Sequence, residues 1–407
     1  MTAGAWRRVG LHLITPDRAG PCRAFDSAQR HCIPWPRRLA ARTFFQNRHH
    51  GFHDHGLPVV RTMIHAASSP GLQRVRVERH LAPADEWAMR EALRKALAER
   101  PRRIPTQYFY DDHGSWLFER ICELPEYYQT RAETTLLARI AERVIATSGA
   151  GELVELGSGA ATKTRILLDA MARAGTLDCY VPVDVSEGIM RRSAEELVRA
   201  YPQLLVHGLV ADFITDLGAL PAAGRRLVAF LGGTIGNLEP RHEAAAFLRR
   251  LRASMGVEDF FLVGVDLIKQ VPRIEAAYND DAGVTAAFNR NVLAVVNARF
   301  EADFEPQRYR HRAFYQHDGD RIEMRLVSCQ AQTVRLAALD LSLELAAGEE
   351  ILTEISVKFD RARLEALLAA GGFGLTEWFV QDDLFALALA QPVASGPARG
   401  ASARAKA

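Results

Sequence analysis

Several things are scarce in this 407-residue chain. Cysteine occurs five times (Cys22, Cys32, Cys122, Cys179, Cys329), an odd, scattered set with no C-x-x-C pair. That argues against a disulfide framework and for a reduced, cytosolic protein. No apolar run approaches the roughly 18 residues that would cross a bilayer, so no membrane partner is expected. Net charge is nearly absent: 51 Lys and Arg against 49 Asp and Glu leave +2. Such a balance gives no reason to expect nucleic acid or an acidic surface as a partner. Residues 1–62 lack lysine and glutamate altogether while holding ten arginines, three aspartates and six of the 13 histidines. An acid-poor, Arg-rich start can be a transit peptide, but Pro34 and Pro36 interrupt it and no amphipathic repeat runs through it. The histidines between His49 and His55 have no partner ligands at finger-like spacing, so no metal site is expected. The expectation is a disordered extension ahead of a natural start at Met63. A second disordered tail is expected over 392–407, where Ala, Gly, Ser and Arg dominate.

What is present is organised around Leu153-Val-Glu-Leu-Gly-Ser-Gly-Ala-Ala-Thr-Lys-Thr164. A short apolar run reads as a buried strand, Gly157 and Gly159 as a tight turn, and Ile166, Leu167, Ala170 and Met171 as a helix that starts near Thr162. This is the opening unit of a Rossmann-like sheet, whose glycines let a ligand approach the backbone. Three ligands compete for such a turn. A dinucleotide fingerprint and a P-loop each require a glycine where Thr162 stands, which counts against both. The methyl donor S-adenosylmethionine (SAM) calls for an acidic residue before the turn and another after the next strand, and Glu155 and Asp184 provide them.

The rest alternates as an α/β fold should. A helix is expected over 83–98, an aromatic-rich loop over 105–118, and a long helix over 132–147. Strands follow at 178–184, 204–210, 226–231 and 259–266, and Ser186 is placed to cap the helix of 189–200. Glu155, Asp184, Asp212 and Asn237 fall at strand ends, where open parallel sheets bind ligands. A helical run over 273–299 and short alternating segments over 308–345 break the pattern. In the strand 351–359, Glu354, Ser356 and Lys358 share one face and Thr353, Ile355, Val357 and Phe359 the other. A helix at 361–370 and strands at 375–380 and 384–389 would close the sheet. The fold class is thus α/β: a class I SAM methyltransferase sheet with an inserted α+β substrate-binding domain. The expected division puts 63–130 with 269–358 in the substrate-binding unit and 131–268 with 359–391 in the SAM-binding unit.

Spacing alone leaves the roles of several residues open. Glu354 and Ser356 fit a solvent-facing strand, Lys163 a surface lysine, Tyr278 a core aromatic, and the tyrosines near 108–110 and 127–128 core packing. Asn237, after Gly-Thr-Ile-Gly at a strand end, points to function by itself.

Longer motifs narrow the choice. Glu155-Leu-Gly-Ser-Gly159 with Lys163-Thr-Arg165, Phe230-Leu-Gly-Gly-Thr-Ile-Gly-Asn237, Gly283-Val-Thr-Ala-Ala-Phe-Asn-Arg-Asn291, Arg321-Ile-Glu-Met324 and Leu352-Thr-Glu-Ile-Ser356 occur in order. Together they resemble the ergothioneine-pathway L-histidine Nα-methyltransferases, from about Pro105 to Leu389. The resemblance implies a SAM-dependent enzyme that converts L-histidine to its trimethylated betaine, hercynine; a monomer in the cytoplasm is expected. It implies that Tyr110 is the catalytic tyrosine near the α-amine and that Tyr127 lies at the imidazole. Asn237 and Tyr278 would hold the carboxylate, and Met324, Glu354 and Ser356 the side chain. Gly157, Lys163, Asp184, Asp212 and Phe213 would join Glu155 at SAM. Two alternatives remain: Nα-methylation of another amino acid, such as a tryptophan derivative, and a SAM-binding regulator without turnover.

Overall fold

The computed structural model describes residues 74–80, 83–214, 216–220 and 225–393. The expected extension over 1–62 and the tail beyond Val393 lie outside them; Pro392 itself ends a strand. In order, the chain forms β1 (Val75–Arg79), α1 (Pro83–Ala98), β2 (Arg102–Arg103), α2 (Asp112–Glu123), α3 (Tyr128–Ser148), β3 (Glu152–Leu156), α4 (Thr164–Ala174) and β4 (Cys179–Asp184). Then come α5 (Glu187–Ala200), β5 (Leu205–Val210), β6 (Arg226–Phe230), α6 (Ala245–Ser254), β7 (Phe260–Asp266), α7 (Val271–Ala276) and α8 (Val284–Phe300). The last part holds β8 (Tyr309–Gln316), β9 (Arg321–Ser328), β10 (Gln332–Leu336), β11 (Leu341–Leu345), β12 (Glu350–Val357), α9 (Arg361–Gly371), β13 (Phe373–Gln381) and β14 (Phe385–Pro392).

Eight strands make one sheet in the order β1-β5-β4-β3-β6-β7-β14-β13, parallel except for the final hairpin β13–β14. Strand order reverses at β3, so the crevice beside its carboxyl end is the natural ligand site. Successive side chains of β3 enter different cores. Leu153 packs with Tyr180 and Leu227 under α3 and α4, whereas Val154 and Leu156 pack with Val181, Val228 and Phe230 on the opposite face. This two-sided burial explains why the strands read as continuous apolar runs.

A second sheet, β2-β12-β9-β8, covers α8 and the aromatic segment 104–128, and shares its own core with the β10–β11 hairpin. Phe109 stacks on Phe288 of α8 at 4.6 Å there. The two sheets meet where β12 leaves the small one. Phe359 N donates to Asp266 O at 2.9 Å and Ile268 N to Phe359 O at 2.9 Å, so the chain runs directly onto the end of β7.

Three local expectations need correction. β1, expected in the substrate-binding unit, adds an edge to the large sheet by pairing with β5. The helical run over 273–299 is two helices, because the Asp280 carboxylate accepts Val284 N at 2.7 Å and Thr285 N at 2.8 Å and starts α8 afresh. Ser186 stands at the N-cap of α5, but its side chain makes no capping bond; its N–H instead donates to Asp184 Oδ1 at 2.9 Å. Among the described residues, no helix is long and apolar enough to cross a membrane.

Candidate active site

At the carboxyl end of β3 the backbone turns through Gly157 (φ +73°) and Gly159 (φ +48°), a conformation that side chains disfavour. The turn is held from both sides. Gly157 N donates to Val183 O at 2.8 Å, and Gly159 N to Asp184 Oδ2 at 2.9 Å. Burial raises the Asp184 carboxyl above its ordinary range, against the backbone N–H groups of Ser186 and Gly159 that favour its charge. The Phe213 ring lies 3.4 Å from where a Cβ on Gly157 would stand, and packs edge-on against Phe230 at 5.4 Å. Asp212 shapes the loop after β5, accepting Ile214 N at 2.8 Å while its own N–H donates to Asp216 at 3.0 Å. Lys163 pairs with buried Glu133, which also accepts Gly232 N at 2.7 Å and so ties the glycine turn to the loop after β6.

Glu155 is placed differently from its sequence reading. It is buried beneath the turn, where it accepts from Thr164 Oγ1 and, at 2.6 Å, from the Tyr180 hydroxyl. Burial pushes its carboxyl up to about 7. Its Oε2 thus ties the start of α4 to the start of β4. The structure therefore brings Gly157, Asp184, Asp212 and Phe213 to the crevice, with Lys163 at its rim and Glu155 under its floor.

A cavity opens next to this crevice, between the two sheets. Its walls are Tyr110, Phe118 and Tyr127 on one side, Glu354, Ser356 and Tyr278 on another, and the turn carrying Gly232, Thr234 and Asn237 between them. Six residues singled out in the sequence thus meet in one place. Met324 does not: it faces Glu354 across the β9–β12 ladder, but its side chain is buried in the core of the small unit. Face alternation in β12 holds from Glu354 onward but breaks at Thr353, where the register with β9 shifts. Leu352 and Ile355 both enter the core of the large sheet, while Thr353 Oγ1 donates to Asn289 Oδ1 of α8 at 2.7 Å, towards the small unit, and Glu354 and Ser356 line the cavity.

Burial, partly opposed by the nearby Lys358 charge, pushes the Glu354 carboxyl up to about 7. Burial likewise holds Tyr110 and Tyr127 far above the ordinary phenol range, so both remain neutral hydroxyls. The three aromatic rings form a connected wall, Tyr110 to Phe118 at 6.0 Å and Phe118 to Tyr127 at 6.3 Å, each edge-to-face.

Several residues here carried no functional expectation. Asp266 lines the floor, accepting from the Tyr128 hydroxyl at 3.0 Å, Lys269 Nζ at 2.6 Å and Lys358 Nζ at 2.8 Å. Gln129 reaches the same wall with both amide atoms buried and without a partner among the described residues. The signals were available: Asp266 ends a parallel strand, and Lys358 shares the face of Glu354 and Ser356.

A family model described as "Histidine-specific methyltransferase, SAM-dependent" matches residues 89–392. The histidine N-alpha-methyltransferase of Mycolicibacterium smegmatis is 47% identical over 292 residues, 72% of this chain and 91% of its own. That of Mycobacterium tuberculosis is 43% identical over 310 residues, 76% and 96% of the two chains. A 4-dimethylallyltryptophan N-methyltransferase of Penicillium roqueforti is 24% identical over 314 residues, 73% and 91% of the two chains.

Proposed function

The chain belongs to the SAM-dependent, histidine-specific methyltransferases, and from that premise we propose that it places three methyl groups in succession on the α-amine of L-histidine, giving hercynine, the first step of ergothioneine biosynthesis. The observation that carries this reading is the pairing of Glu354 with Ser356 on one cavity wall. A neutral imidazole has one N–H and one bare nitrogen; an ionised carboxylate accepts the first and a hydroxyl donates to the second. An indole has no bare ring nitrogen and would leave the hydroxyl unpaired, a penalty that discriminates more strongly than size.

In this reading Asn237 and Tyr278 take the carboxylate, Tyr127 borders the ring, and Tyr110 faces the amine. Met324 supports Glu354 from behind rather than touching the substrate. Gly157, Lys163, Asp184, Asp212 and Phe213 surround SAM, with Asp184 facing the ribose hydroxyls and Glu155 supporting the turn. The large sheet would thus hold the donor and the smaller unit the amino acid. SAM supplies a methyl group on a sulfonium, open to in-line displacement. What the chain must add is position and a neutral amine. The α-amine of a free amino acid sits beside its own carboxylate and titrates above the roughly 7.7–8.0 of a chain terminus, so the amine must lose a proton before each transfer. Tyr110, held as a phenol, orients that amine without acting as its base. The aromatic wall favours the growing positive charge on nitrogen as methyls accumulate. One chain contains both halves, so a monomer suffices. Among the described cysteines, Cys122 and Cys329 are free thiols, which suits a cytosolic setting.

The test is incubation of the protein with SAM and L-histidine, L-tryptophan or buffer, followed by mass spectrometry. Mono-, di- and trimethylated histidine are expected. Products stopping at one methyl would end the betaine proposal, and methylated tryptophan alone would end the histidine one.

A further inference from the structure

Lys358 is fully buried, and its ammonium group has three neighbours: Asp266 Oδ2 at 2.8 Å, the Tyr278 hydroxyl at 3.0 Å and Ser356 Oγ at 2.9 Å. An ammonium has three protons and no lone pair, so all three are committed. Tyr278 and Ser356 also touch each other, oxygen to oxygen at 2.9 Å. Both oxygens therefore already accept from Lys358, and each must direct its own proton elsewhere. Without a ligand, one hydroxyl donates to the other and a single proton remains for the cavity. With a ligand offering two acceptors, both protons can turn towards it while Lys358 keeps the oxygens in place.

Charge points the same way. The cavity lining holds two carboxylates, Asp266 and Glu354, and Asp266 is paired outside that lining with two ammonium groups, Lys358 at 2.8 Å and Lys269 at 2.6 Å. Removing Lys358 would leave an excess of negative charge beneath the site, unfavourable to an anionic group and favourable to a cation.

We propose that Lys358 is a positioning residue that fixes Tyr278 and Ser356 as simultaneous hydrogen-bond donors, so that the cavity selects an amino acid presenting both a carboxylate and an unprotonated ring nitrogen. The inference rests on the histidine reading above. Lys358 acts through the two hydroxyls and does not itself touch the substrate.

The experiment is calorimetric titration of the full chain, saturated with S-adenosylhomocysteine, with L-histidine and with histamine, which keeps the ring and amine but lacks the carboxylate. In Lys358→Met, L-histidine should bind at least tenfold more weakly, histamine, which keeps only the ring contact to Ser356, should weaken by a clearly smaller factor, and S-adenosylhomocysteine affinity should stay within twofold. Lys358→Gln, nearly isosteric and able to donate from one amide, should change L-histidine in the same direction by a smaller factor; it decides the matter if the methionine variant does not fold. Equal weakening of L-histidine and histamine, or unchanged L-histidine affinity, overturns the proposal. Should the wild-type protein bind another amino acid instead, the histidine reading fails. The same comparison between that amino acid and its decarboxylated amine then still decides the role of Lys358.

Discussion

The carboxylate of Glu133 accepts Gly232 N through both oxygens, at 2.7 and 3.0 Å, and one of those oxygens also meets Lys163. A side chain on α3 thus joins the loop after β3 to the loop after β6. In Glu133→Ala a part-buried N–H loses its partner and a part-buried ammonium loses its counter-charge. The expected cost is about 2–4 kcal/mol. Thermal melting should show a midpoint lower by about 5 °C or more, with Glu133→Gln in between; a midpoint matching wild type would rule out this role.

Glu354 is expected to trade stability for recognition. Its carboxyl is raised from 4.5 to about 7 by burial, so the folded state holds that proton more tightly than the unfolded chain does. The contribution is fully favourable below pH 4.5 and is lost as pH rises through 7. Glu354 borders the cavity and keeps partial solvent contact, so the loss at pH 8 is at most about 3 kcal/mol. Glu354→Gln should therefore melt higher than wild type at pH 8, with the gap closing towards pH 5. In the same variant the KM for L-histidine should rise far more than the KM for SAM. A gap that widens at low pH would contradict the sign.

The pH profile of kcat/KM for L-histidine should carry two ionisations. Transfer needs a neutral amine, which limits activity below the ionisation of the substrate amine, and an ionised Glu354, which steepens the fall below about 7. Comparing limiting slopes in wild type and Glu354→Gln is the check: the variant should lose the steeper segment. Identical profiles would show that Glu354 does not titrate in this step.

Gly236 lies against the start of the crossing between the sheets. A Cβ there would stand 2.7 Å from Val357 O, closer than such contacts occur. Gly236→Ala must push the turn carrying Asn237 away from β12. We expect a stability loss of about 1–3 kcal/mol and a KM for L-histidine raised several-fold, with the KM for SAM little changed. A variant with wild-type KM for both would show that the turn absorbs the methyl group without moving Asn237.

Gln129 offers a sharper alternative. Its amide is buried on the cavity wall without a partner among the described residues. If a ligand satisfies it, Gln129→Leu should leave the ligand-free protein as stable or more stable, since an unsatisfied polar group is removed, and raise a substrate KM about tenfold. Melting curves and steady-state kinetics on the same preparation check both. A stabilised variant with unchanged kinetics would leave Gln129 as a packing residue only.

Much of the large sheet's carboxyl edge was legible because its strands are short apolar runs, and Asp184, Asp212 and Asn237 follow the ends of β4, β5 and β6. Glu155 was misplaced for a reason the same sequence contains. Two residues along a strand share a face, so Glu155 follows Leu153 towards Tyr180 and α4 instead of the crevice. The break between α7 and α8 was hidden in a cap, Asp280 followed by Gly283 at φ +71°. The Lys358 network was not legible, because its three partners come from β7, β12 and the segment after α7, and only the fold brings them together.

The passage of β12 onto the end of β7 at Phe359 has a practical consequence for anyone recombining relatives of this chain. A chimera that exchanges the inserted lobe must cut on one side or the other of Lys358. A cut before it takes Glu354 and Ser356 from one parent and their ammonium from the other; a cut after it parts that ammonium from its own Asp266. Acceptor preference should therefore transfer only when Asp266, Tyr278 and residues 354–359 travel as a block, however well the larger surfaces match.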